Sequence, residues 1–79
     1  MSIADVVMTD TARHEALKIL AEIEHAEGLL EMSQLAGVAE GFIRGLACGL
    51  AITPHDLEAL ERVFDGAVNR RMGALRRGE

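Results

Sequence analysis

Ser33-Gln34-Leu35-Ala36-Gly37-Val38-Ala39-Glu40-Gly41-Phe42-Ile43-Arg44-Gly45-Leu46-Ala47-Cys48-Gly49-Leu50 carries two superposed periods. Leu35, Val38, Ala39, Phe42, Ile43, Leu46 and Leu50 recur at steps of three and four, which predicts a helix from about Gln34 to Leu50 with one broad apolar face. Glu40 and Arg44 sit opposite that face, four apart with the acid first, an arrangement that stabilises an exposed helix by a few tenths of a kcal/mol. Glycine stands at 37, 41, 45 and 49, and Ser33 extends the row of small residues one step back. An interior helical glycine costs roughly 0.8 to 1 kcal/mol relative to alanine, so the four together cost about 3 to 4 kcal/mol, a large part of a small domain's stability. The expectation is that close helix packing along Gly37, Gly41, Gly45 and Gly49 offsets the loss. The neighbour is first sought within the chain and otherwise in a second copy, as a dimer seam, with composition bias that has no role as the remaining reading. On that reading Gly41→Leu or Gly45→Leu destabilises or dissociates the protein, and Glu40→Ala does little.

Working outward, the clearest local signal follows at once. Thr53 is a good N-cap, Pro54 occupies the first helical position where its missing N–H costs nothing, and Asp56 can reach back toward the cap. Ile52 and Leu57 can close a hydrophobic staple across it. Leu57, Leu60, Val63, Phe64, Ala67, Val68 and Leu75 then point inward over a helix of about 54–76. Arg70, Arg71, Arg76 and Arg77 end it, where cations complement the helix macrodipole. On the other side, Asp10 or Thr11 caps a first helix of about 11–31 whose inward face is Ala12, Ala16, Ile19, Leu20, Ile23, Ala26 and Leu30. Its break is expected between Glu31 and Gln34, with Ser33 capping the next helix. Residues 1–10 read as an N-terminal arm and 11–79 as one helical domain. The fold class is all-α, a small bundle of three helices, and at 79 residues it buries little enough surface to expect completion by dimerisation.

Composition narrows the function classes. One cysteine, Cys48, and no zinc-type spacing leave neither a disulfide nor a structural metal to staple the fold. The start of the chain lacks the pattern of a secretory signal, and no segment reads as a membrane span, since 35–52 holds Glu40, Arg44 and four glycines. The expected location is cytoplasmic, with no membrane partner. Residues 1–65 hold twelve acids and four bases, net −8; residues 66–79 hold four arginines and one glutamate, net +3, together the −5 of the chain. An acidic body disfavours nucleic acid and suits a basic protein surface.

No phosphate-binding loop, nucleophile elbow or helical zinc motif is present, so the chain reads as no enzyme, with no catalytic residue, cofactor or metal assigned. Two alternatives stand beside this reading. Glu22 and His25 form the Glu-x-x-His pair of ferritin-like ligand sets, which a symmetric dimer could complete. The C-terminal arginines could touch a nucleic-acid backbone. The helix-turn-helix comparison over 45–60 fails, because His55 and Glu58 fall where that motif needs apolar residues and Asp56, Glu58 and Glu61 repel phosphate. For a protein partner the candidate residues are Glu24, Glu27 and Glu31, read as one helical flank, together with Arg70 and Arg71.

In the stretches Gly41-Phe42-Ile43-Arg44-Gly45-Leu46 and Thr53-Pro54-His55-Asp56-Leu57-Glu58-Ala59-Leu60, and in being short, acidic and helical, the chain resembles the small orphan proteins of phages and mobile elements, anti-CRISPR inhibitors among them. The resemblance is of type and carries no residue role with it. It implies a regulatory or inhibitory protein that covers a functional surface on its partner.

Overall fold

The computed structural model describes residues 2–49 and 52–78. Among them the chain forms a short 3-10 turn, Ile3–Asp5, and three helices: α1, Asp10–Glu24; α2, Leu29–Gly49; and α3, Pro54–Arg76. No strand occurs among the described residues, and the architecture is an all-α three-helix bundle. Each helix packs on both others.

The third helix begins as its sequence demands. Thr53 Oγ1 accepts the Asp56 backbone N–H at 3.2 Å, the Thr53 hydroxyl donates to Asp56 Oδ2 at 2.9 Å, and Pro54 opens the first turn. Ile52 and Leu57 are both half-buried against the core, where a staple would put them.

The first two helices differ from expectation at their shared boundary. α1 is capped by Thr9, whose Oγ1 accepts the Ala12 N–H at 3.1 Å, not by Asp10 or Thr11. It stops at Glu24 instead of 31, and α2 starts at Leu29 instead of Gln34, so Ser33 lies inside a helix and caps nothing. The physical reason is Met32. With α2 starting early, Met32, Leu35, Ala39 and Ile43 fall on one buried face, and Met32 is completely enclosed. Continuing α1 to residue 31 would have turned Leu30 inward, whereas Leu30 is 76% exposed. Val38, placed on the apolar face by its spacing, is likewise 51% exposed. Leu50, expected to end that face, lies outside the described residues.

The core is apolar throughout. Ala16, Ile19, Leu20 and Ile23 of α1 meet Met32, Leu35, Ala39 and Ile43 of α2 and Ala59, Leu60, Phe64 and Ala67 of α3. Phe42 and Phe64 pack edge to face, ring centroids 6.3 Å apart at 74°. No buried side-chain nitrogen or oxygen among the described residues lacks a partner.

The arm over residues 2–8 is docked. Val6 is 1% exposed within the core, and three contacts hold the backbone around it. The Arg13 guanidinium donates from Nη1 to the Ile3 carbonyl at 3.0 Å and from Nη2 to the Val6 carbonyl, while the Val7 N–H donates to Asp56 Oδ1 at 3.2 Å. Asp56 thus serves α3's cap with one oxygen and the arm with the other. Those hydrogen bonds hold its carboxyl below the usual aspartate value, the Val7 N–H contributing most and the Thr53 hydroxyl next.

Candidate interaction surfaces

The glycine row of α2 faces away from the bundle. Gly37, Gly41, Gly45 and Gly49 are exposed, and a Cβ built on any of them would meet no heavy atom within 4 Å. Close packing within the chain is therefore corrected: no helix among the described residues lies over the row. The geometry explains why. At about 100° per residue, the buried positions 32, 35, 39 and 43 centre on one side of α2, and positions 37, 41 and 45 lie across the helix axis from them.

That far side has a composition of its own. Within an arc of about 100°, α2 presents Leu30, Gln34, Gly37, Val38, Gly41, Gly45 and Cys48, all exposed and none carrying a charged side chain. A solvated helix face normally carries the charge, and in this chain 27% of residues are charged. Glu40 and Arg44 stand at one edge of the arc, joined by a 2.7 Å ion pair that leaves both side chains well exposed.

The acidic candidates do not share one helical flank. Glu24 ends α1, Glu27 lies in the connection, and Glu31 belongs to the first turn of α2, where its Oε2 accepts the Glu27 backbone N–H at 3.3 Å. The flank was inferred from a helix that the structure ends at Glu24. Instead Glu24 comes together with Arg70, Arg71, Ala67 and Ala74 around a shallow depression between the end of α1 and α3. Arg71 is engaged internally: its Nε donates to the Ala26 carbonyl at 2.7 Å, tying α3 to the α1–α2 connection. Arg70 remains exposed.

Glu22 and His25 are both exposed on α1, and the His25 Nδ1 lies 2.8 Å from the Ala21 carbonyl, which ties the ring to the end of its own helix. Among the described residues no three potential ligand side chains gather closely enough to hold a metal ion. No helix among them is long and apolar enough to cross a membrane.

One feature escaped the sequence reading. A groove of about 410 Å³ runs between α2 and α3, lined by residues of those two helices alone. Ala36, Ala39, Ile43, Phe64 and Val68 form its floor; Glu40, Arg44, Glu61 and Asp65 form its rim. The signal lay in Glu61, Phe64, Asp65 and Val68, which share one side of α3 at steps of three and four, but their register against α2 comes only from tertiary packing.

A scan against profiles of known protein families and searches of curated proteins and of solved structures found no match to this chain.

Proposed function

We propose that this chain is a non-enzymatic, cytoplasmic protein-binding module, regulatory or inhibitory, that pairs with a second copy and acts by covering a functional surface of another protein. Some of the small phage and mobile-element proteins it resembles in type, anti-CRISPR inhibitors among them, act by covering a functional surface. The observation that carries the reading is the uncharged, water-facing arc of α2. Leu30 at 76% exposure and Val38 at 51% stand among bare glycines there. An exposed helix face that lacks charge and carries large apolar side chains beside glycines suits contact with another macromolecule.

A second copy suits the arc for two reasons. Glycines let a helix backbone come close, which offsets the propensity they give up. The edge is also self-complementary: in an antiparallel pair centred near residue 42, each copy's Glu40 comes opposite the other's Arg44.

The test separates the fold from the assembly. In the monomer a Cβ at position 41 meets no heavy atom within 4 Å, so Gly41→Leu should stabilise the helix by roughly 0.8 kcal/mol in denaturant melts at high dilution. The same substitution should abolish the pair, seen by sedimentation as a change from about twice 8.5 kDa to the single-chain mass. Orientation follows from Cys48, which lies near the middle of the arc: thiol cross-linking joins the two copies readily only if the helices run parallel. A native chain that sediments as a monomer up to about 1 mM would remove the pairing from this proposal.

A further inference from the structure

The groove between α2 and α3 adjoins the glycine arc, with Glu40 and Arg44 standing at the border of both. Both its walls come from one side of the α2–α3 pair, and α1 contributes nothing to it. A three-helix bundle with one such seam open has the shape of a four-helix bundle lacking a member.

The chemistry of the rim selects what can lie there. The floor of Ala36, Ala39, Ile43, Phe64 and Val68 is apolar and offers no hydrogen-bonding side chain. On the α2 rim Glu40 and Arg44 neutralise each other through their 2.7 Å ion pair. On the α3 rim Glu61 and Asp65 are exposed, one turn apart, and neither forms an ion pair or side-chain hydrogen bond with another described residue. The rim therefore carries a net charge of −2, all of it on the α3 side. A segment that buries apolar side chains in the floor must present positive charge along one flank, at the four-residue spacing of the two carboxylates.

We propose that this groove docks an amphipathic helix of a partner protein, seated by aliphatic anchors at i, i+3 or i+4, and i+7, with lysine or arginine on the flank that faces Glu61 and Asp65. Such a helix completes a four-helix arrangement and follows the helix-in-groove mode of recognition. The proposal rests on the reading of the chain as a protein-binding module and names the class of segment that one of its surfaces takes.

The probe is a synthetic, helix-stapled peptide with leucine anchors and arginine at the two flank positions. It is titrated into the isotope-labelled full chain and followed by amide chemical shifts. Shifts are expected at Ala36, Ile43, Phe64 and Val68, with affinity falling as salt rises. The double variant Glu61→Gln/Asp65→Asn, altered only at exposed positions, should weaken binding about tenfold, the combined effect of two rim charges. A control peptide with glutamate at the flank positions should not bind. The inference is overturned if the arginine peptide shifts none of these amides at millimolar concentration, if the double variant binds it unchanged, or if the glutamate peptide binds equally well. A chain that still pairs through the α2 arc while failing all three would leave the module reading standing and remove only the groove.

Discussion

Arg71 and Val6 both tie elements of the bundle together, and neither is marked for that role by the residues beside it. The Arg71 guanidinium donates to the carbonyl of Ala26, a fully enclosed residue in the α1–α2 connection. Arg71→Met keeps most of the apolar stem but leaves that carbonyl without its donor. A loss of about 1 to 3 kcal/mol is expected, read as a lower urea midpoint at unchanged slope. Val6→Ala removes two methyl groups from a site that is 1% exposed, and about 1.6 kcal/mol should go with them, more if the space stays empty. Should either variant melt like the native chain, its contact does not persist in solution. The position of Val6 in the core was not legible beforehand, because a single valine in a segment without period gives no sign that tertiary packing will enclose it. Arg71 was read as a partner-binding cation for a similar reason. Its charge is visible in sequence, but the carbonyl that engages it is not.

The start of α3 is the element whose behaviour sequence and structure describe alike. Thr53, Pro54 and Asp56 are sufficient to specify a capped first turn, and the hydrogen bonds form as that pattern demands. Thr53→Ala should cost about 1 kcal/mol of stability in a thermal or urea melt. Asp56 adds a pH dependence whose sign is set by its lowered pKa. A carboxyl that is more acidic folded than unfolded contributes stability above its ordinary value of 3.8 and loses it as pH falls through the folded value. Asp56→Asn should therefore lower stability at neutral pH and flatten the acid limb of the stability curve below about pH 4. An acid limb identical to the native one would assign the dependence to other carboxylates. The α1–α2 boundary went the other way. Ala26 and Leu30 extend the apolar period of α1 without a proline to stop it, and Gly28 alone is a weak terminator. Burial of Met32 decided the point, since α2 gains that side chain only by starting at Leu29. The same error reached the glycine row. Counting Val38 as inward tilts the apolar face of α2 toward the glycines, whereas the true face of 32, 35, 39 and 43 leaves them on the opposite side.

At the scale of the molecule, helix number, class and the extent of α3 were legible from periodicity and one strong cap. The surfaces were not, because an interaction face depends on which side of each helix the others leave uncovered. The bundle measures 39 × 21 × 18 Å with a radius of gyration of 12.5 Å, slightly above the roughly 11.6 Å typical of this length, as befits long helices laid side by side. Two uncovered surfaces then stand out: a charge-free arc on the back of α2 and an acid-rimmed groove beside it. The docked arm has a separate consequence for how the chain is made. Val7 is synthesised early, yet the carboxylate that receives its N–H follows 49 residues later, at Asp56. Until α3 is made, that N–H lacks its acceptor and the core that encloses Val6 is incomplete. Full closure of the arm is thus a late event that depends on α3, and a nascent chain halted before Asp56 holds the arm through the two Arg13 contacts alone.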